Sequence, residues 1–415
     1  MISNAERLPN RAWLMVGLLW MAGCLNYLDR LILVTMRTSI KEAIPMTDAQ
    51  FGLLTTIFLV AYGLMSPLGG FVADKFNRSR VIIFSLFAWS AATWLTGHAT
   101  SFGELLLYRF LLGISQACYF PAAGALLMDY HRNSTRSLAN GIHLSGVMVG
   151  SGLGGLGGWI ADKHDWTFVF QLFGFVGIAY TIVLLVFLRD RSAEPAPLQP
   201  IVVAPPRGNF GVALVSLFSG KGFIFAMLFW GMLGFSSWAF IGWLPTYLHE
   251  QFGMSQGRAG LTALGYIYSA SLVGMVVSGA WADQWSKTNP RARVWVGIIG
   301  VLLAVPAILL VANAPVLGLV LAALVLYGFV RPFPDSNMLP ILCQVVDPRY
   351  LATGFGILNS FAVLTGGLTI YAGGALRDAN VNITTVFNFG AGGLLVCAVL
   401  LWFIKPRLSV PTPSL

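Results

Sequence analysis

Charge is scarce in this chain. Only 10% of its 415 residues are Asp, Glu, Lys or Arg, while 57% are hydrophobic; a soluble domain carries about 25% charged residues. The mean hydropathy is +0.76. This excludes an ordinary soluble domain and a disordered chain, and leaves a membrane protein. Cysteine is rare as well. Cys24, Cys118, Cys343 and Cys397 all fall in apolar runs, which argues for packing residues and against a disulfide framework or metal site. No nucleophile-and-base set, no His/Asp metal-ligand spacing and no phosphate-binding glycine loop is legible, so neither an enzyme nor a resident cofactor or metal is expected. The opening MISNAERLPNR lacks the apolar core of a signal peptide, so the first span is expected to stay in the mature protein. The net charge of +9 is spread over short loops, which argues against nucleic acid as a partner.

Long apolar sequence is what the chain has in abundance. A helical span needs about 20 mostly apolar residues. Twelve are predicted, near 12–36, 51–73, 80–98, 104–129, 137–161, 167–188, 222–247, 259–283, 292–312, 316–345, 350–375 and 383–404. The expected fold class is an all-α polytopic membrane protein. With both termini cytoplasmic, seventeen Lys and Arg fall on the cytoplasmic side and five (Arg37, Lys41, Lys163, Arg258, Arg377) on the other, which sets the orientation. For a bacterial chain the location is the inner membrane. Residues 189–220 open with RDRSAEPAPLQP and carry prolines at 195, 197, 200, 205 and 206, so they read as a cytoplasmic linker. It separates an N-terminal six-helix bundle, 1–188, from a C-terminal one, 221–415.

The two halves resemble each other. Gly70-Phe-Val-Ala-Asp74 recurs as Gly279-Ala-Trp-Ala-Asp283, and Arg136-Ser-Leu-Ala-Asn-Gly141 recurs as Arg349-Tyr-Leu-Ala-Thr-Gly354. Gly157, Gly158 and Asp162 are matched by Gly373, Gly374 and Asp378. Three matches in one order at nearly one offset imply two parallel six-helix bundles with a binding site between them near the midplane. Glycines at 146, 150, 154 and 158 line one helix face, as a tight packing seam or as a surface on which the halves slide.

Three arginines, Arg30, Arg109 and Arg331, lie inside otherwise apolar spans. Each costs roughly 2.5 to 3.5 kcal/mol in hydrocarbon, which points to anionic cargo. Asn26, Asp29 and Arg30 are spaced to share a helix face, either as a proton carrier beside an anion receptor or as a self-neutralising pair. Arg109, Gly113 and Gln116 form a stripe: a guanidinium grips a carboxylate with two parallel hydrogen bonds, and Gln116 suits a sugar hydroxyl. Alternatively, Arg109 holds helix-end carbonyls. The run Arg331-Pro332-Phe333-Pro334-Asp335-Ser336-Asn337, followed by Pro340, predicts a broken helix at membrane depth. There Arg331 and Asp335 form a private ion pair or belong to the site. Asn337, Asn359 and Ser360 are candidates for hydroxyl recognition, and His143 is either a packing residue or a proton relay. Trp238, Trp243, Tyr247, Tyr266 and Tyr268 read as interface belt or packing. Asp74, Arg78 and Arg80 read as a conformational latch. The deep charges leave one surplus positive charge, which suits a monocarboxylate.

These features resemble the major facilitator superfamily over essentially the whole chain. Gly70-Phe-Val-Ala-Asp74-Lys75-Phe-Asn-Arg78-Ser-Arg80 is similar to its signature between helices 2 and 3, with Asn77 where a glycine is usual. Arg109-Phe-Leu-Leu-Gly113 is similar to its fourth-helix pattern. Asn26-Tyr27-Leu28-Asp29-Arg30 resembles the anion:cation symporter branch, which includes sialin-like and sugar-acid transporters. The resemblance implies proton-coupled symport of a small organic anion, such as a hexuronate, aldonate or sialate, by alternating access. It implies Asp29 for proton coupling, Arg30 and Arg109 for the substrate carboxylate, and Tyr62 lining the site. Many members carry glutamate where this chain has Gln116, which cannot titrate. Coupling then falls to Asp29, to Asp335 or to sodium, or is absent. The alternative is a Spinster-like exporter of a lysolipid or another amphipathic metabolite. The expected partners are the anion, protons and the lipid bilayer, with the chain acting as a monomer. The two-fold repeat argues against a fixed-pore channel.

Overall fold

The computed structural model describes residues 10–131, 135–190 and 210–405. Among them, twelve helical spans are long and apolar enough to cross a membrane. The first six are α1 (Arg11–Leu31), α2 (Asp48–Ala73), α3 (Arg78–Thr96), α4 (Phe102–Tyr130), α5 (Leu138–Ala161) and α6 (Trp166–Phe187). The second six are α7 (Lys221–Phe252), α8 (Gln256–Ser286), α9 (Ala292–Asn313), α10 (Leu317–Val345), α11 (Thr353–Asp378) and α12 (Ile383–Phe403). They form two pseudo-symmetric six-helix bundles that meet along two seams, α2 against α11 and α5 against α8.

Local sequence fixes the helix starts. Thr47 opens α2 with a capping box completed by Gln50. Ser101 and Ser255 accept from Glu104 and Arg258 N–H to open α4 and α8. Asn77, the departure from the signature loop, caps α3 by accepting from the Arg80 N–H at 3.0 Å. The glycine face of α5 is a packing face. A side chain at Gly146 would meet Trp20, and one at Gly150 the Cys24 backbone, both on α1. Further along, Gly154 faces Leu31 and Leu264, and Gly158 faces Thr35 and the Gln256 carbonyl, so the stripe passes from α1 to the other half.

Two expectations change. The break predicted at Arg331 is slight: Arg331 keeps right-handed helical angles and its N–H bonds the Tyr327 carbonyl at 2.9 Å. The prolines sit at the start of the helical piece Pro332–Val345, where a missing N–H does least harm. The Gly328 carbonyl that Pro332 cannot serve accepts from Ser271 Oγ at 2.9 Å instead. Other interruptions fall at Ala117–Cys118 in α4, at Gly154–Gly155 in α5 and at Gly242–Trp243 in α7. Second, the stretch read as linker holds a helix, Phe210–Ser219, whose Leu217 packs near Gly354. Its sequence is apolar, unlike the proline-bearing residues before it, which lie outside the described residues.

One end of the molecule is tied shut. A short helix, Arg37–Ala43, follows α1 there. Asp48 is paired with Arg37, Lys41 and Arg377, and Glu250 with Arg37 and Arg377. Two clasps repeat one device in opposite directions. Asp162, at the end of α5, accepts from the Gly257 N–H that opens α8, at 2.8 Å. Asp378, at the end of α11, accepts from the Asp48 and Ala49 N–H groups that open α2, at 2.8 Å each. Each carboxylate of one half thus caps a helix N-terminus of the other, where the helix dipole favours negative charge.

Candidate functional site

The site is built first around Arg30. Its side chain is almost wholly buried, 6% exposed. Nε donates to Gln116 Oε1 at 2.9 Å, and Gln116 Nε2 donates to the Asn26 carbonyl at 3.2 Å. Three rings cage the guanidinium: Tyr62 at 4.3 Å, Tyr27 at 4.5 Å and Phe58 at 5.3 Å from their centroids. Such faces stabilise a cation without neutralising it. Gly113 makes the cage possible. A Cβ there would lie 2.5 Å from the Phe58 carbonyl, so only glycine lets α4 approach α2 closely enough to bring Tyr62 over Arg30. Nη2 of Arg30 and both side-chain polar atoms of Asn26 are buried without partners.

Arg109 and Asp29 lie a layer behind. Arg109 Nη1 donates to the Asp29 carbonyl at 3.3 Å, and its guanidinium sits 5.3 Å from the Phe170 ring centroid on α6. The Asp29 carboxyl is under the influence of the Arg109 charge, and Trp89 and Thr93 of α3 approach it without reaching hydrogen-bond geometry. Arg30 thus meets α4 at Gln116, and Asp29 meets the same helix at Arg109, seven residues earlier, while Asn26 reaches Gln116 through its backbone carbonyl. Asp29 and Arg30 share α4 as a neighbour, at two levels along it.

The other half contributes Arg331. It pairs with Asp335, and its Nε donates to Ser237 Oγ at 2.8 Å. Tyr268 and Tyr327 lie within reach of its charge. Asn337 is spent on its own helix, donating to the Phe333 carbonyl at 2.9 Å, with Oδ1 left unpartnered. Asn359 is half-buried, and its neighbour Ser360 donates Oγ to the Gly63 carbonyl next to Tyr62 at 3.0 Å, which sets Ser360 on the α2–α11 seam.

His143 lies inside the first bundle, Nδ1 against the Leu19 carbonyl at 3.2 Å and Nε2 unpartnered. Arg78 pairs with Asp129 on α4, Arg80 is exposed, and the side chain of Asp74 lies outside the described residues. Sequence reasoning missed Tyr27, Phe58, Ser237 and Tyr327, and placed Tyr268 in a belt or packing role. The signal for the first two was their spacing: Tyr27 is three residues before Arg30, and Phe58 four before Tyr62.

Two pseudo-symmetric six-helix bundles that meet along two seams have the architecture of a transporter. The chain belongs to the Major Facilitator Superfamily, whose family model matches residues 19–361. It is 26% identical to a probable sulfoacetate transporter of Cupriavidus necator, covering 97% of this chain and 95% of the relative. It is 23% identical to a hexuronate transporter of Bacillus subtilis, covering 95% and 94%. Its fold is that of a bacterial homologue of the human lysosomal transporter Spinster, crystallised inward-facing and unoccupied, with a TM-score of 0.76 at 22% identity over 95% of each chain.

Proposed function

We propose that this transporter carries a small organic anion, of the sugar-acid or short organic-acid class, by proton-coupled symport with alternating access. One observation supports the reading above others. Among the described residues, Arg331 is matched by Asp335 and Arg109 lies against Asp29, but no carboxylate lies within ion-pair distance of Arg30. An uncompensated buried guanidinium is costly until an anion completes it. Arg30 is the receptor, Gln116 and Asn26 recognise polar groups of the cargo, and Tyr62 lines the seat. Arg109 supports Arg30 from behind. Asn337 and Asn359 are the polar groups of the facing half. Asp29 carries the proton, with Asp335 as the second carboxyl able to do so. With the termini cytoplasmic, the end closed by Asp48 is the outer one, and this conformation faces inward. The relatives named for sulfoacetate, a dianion, and hexuronate, a monoanion, support an organic anion as cargo without fixing its charge. An amphipathic lipid cargo would call for an apolar lining in the second half, where Arg331, Asp335 and Ser237 form a polar cluster.

The test is binding. Purified protein titrated with hexuronates, aldonates and short monocarboxylates in a thermal-shift assay is expected to be stabilised by at least one class, since stabilisation follows ligand concentration over Kd. Arg30→Gln is expected to weaken that ligand about a hundredfold, consistent with loss of a charge-assisted bidentate contact worth ~3 kcal/mol. Unchanged affinity in Arg30→Gln would remove Arg30 from the site.

A further inference from the structure

Each half carries one arginine that the proposed function assigns to the site, and the two differ in what holds them. Arg30 is bonded to an amide, Gln116; Arg331 is bonded to a hydroxyl, Ser237, and paired with a carboxylate, Asp335. The pair is not sealed away, since the Arg331 and Asp335 side chains are 19% and 33% exposed. Packing joins the two seats: Gly150 of α5 lies on Cys24 of α1, Gly152 lies on Tyr268 of α8, and Ser271 of α8 bonds the Gly328 carbonyl, three residues before Arg331.

We infer that Asp335 selects cargo by charge: it occupies Arg331, a second anion seat, and so limits the transporter to monoanions. The inference rests on the reading of Arg30 as the first seat. A monoanion bound at Arg30 turns its uncharged end toward Asp335, whose carboxylate accepts hydrogen bonds from hydroxyls on the cargo. A dianion would bring its second carboxylate against the Asp335 carboxylate, and like charges at that range repel. Selectivity then comes from a repulsive element as much as from the attractive one. Ser237 completes the argument. With Nε of Arg331 held there at 2.8 Å, the guanidinium stays in place when Asp335 is neutralised, and becomes a free anion seat.

The test uses the full chain in detergent or nanodiscs, titrated calorimetrically with hydroxylated monocarboxylates and with α,ω-dicarboxylates of matched length. The wild type is expected to bind the monoanion at least tenfold more tightly than the dianion. Asp335→Asn is expected to gain at least tenfold in dianion affinity, so that the ratio of monoanion to dianion affinity falls at least tenfold below that of the wild type. The double variant Arg331→Gln/Asp335→Asn removes both charges and is expected to return to monoanions alone. It also guards against the single variant failing to fold around an unpaired arginine. If the wild type binds monoanions but Asp335→Asn gains no dianion affinity, the selectivity assignment fails and the Arg30 reading stands. A double variant that still binds dianions tightly also overturns it. If monoanions bind equally well to wild type and Arg30→Gln, the Arg30 reading itself is lost, and this inference with it.

Discussion

Arg30 lacks a counter-charge because its hydrogen-bond partner at 2.9 Å is an amide rather than an acid. Glutamate at position 116 would set a carboxylate in the same place and create a buried ion pair. Cargo would then have to displace that carboxylate or wait for it to be protonated. In Gln116→Glu, anion affinity is therefore expected to fall as pH rises, because the deprotonated side chain is the competitor. The fall should be steeper than in the wild type by up to about tenfold per pH unit between pH 5 and 8, since one linked proton is worth ~1.4 kcal/mol per unit. Superimposable affinity–pH curves for the two proteins would show that residue 116 does not face the cargo. The charged half of this site was legible in the sequence, because a guanidinium or carboxylate in hydrocarbon is rare and stands out. The cage was legible only at Tyr62, through the family resemblance. The chain has 29 Phe and 12 Tyr, and spacing alone hardly separates Tyr27 and Phe58 from rings that merely fill space.

Span ends could be read closely because bilayer thickness fixes how long an apolar run must be. Interruptions could not. Arg331-Pro332-Phe333-Pro334 looks like a break, yet the chain passes through it with helical angles because Ser271, far away in sequence, serves the freed Gly328 carbonyl. The repeated glycine and aspartate motif that ends α5 and α11 was also visible, but its use was not, because each aspartate acts on the other half. Asp162 on Gly257 and Asp378 on Asp48 and Ala49 close one end of the molecule twice over. A carboxylate at a helix N-terminus is worth roughly 0.3–1 kcal/mol, and up to ~2 in partly buried geometry. Asp162→Asn/Asp378→Asn should therefore shift the population closed at this end by about five- to thirtyfold, the range that ~1–2 kcal/mol allows. Spin labels on Glu42→Cys and Gln251→Cys, placed at exposed positions in opposite halves in a Cys343→Ser background, would report the separation. A distance distribution identical to that of the labelled parent would show that the clasps do not hold this conformation.

For the whole molecule, the proposed roles put proton and cargo on adjacent residues of one helix. Arg30 turns to Gln116 of α4 and to Tyr62 of α2, where the anion is proposed to sit, and Asp29 lies by Arg109, further along α4. An anion at Arg30 would change the field at Asp29 without touching it. Proton and cargo affinities are then linked through α1, and by reciprocity each must alter the other. Asp29→Asn removes the titrating group while leaving the Arg30 cage intact. In liposomes this variant is expected to lose accumulation driven by a pH gradient, while exchange of labelled for unlabelled anion continues within about threefold of the wild-type rate, a change of under ~0.7 kcal/mol in the barrier. Exchange needs only that the loaded halves rock to and fro; accumulation needs the proton to travel with the cargo. Gradient-driven uptake by Asp29→Asn at the wild-type rate would move the coupling role to Asp335. Loss of both activities together would show that Asp29 holds the bundle in working order rather than carrying the proton.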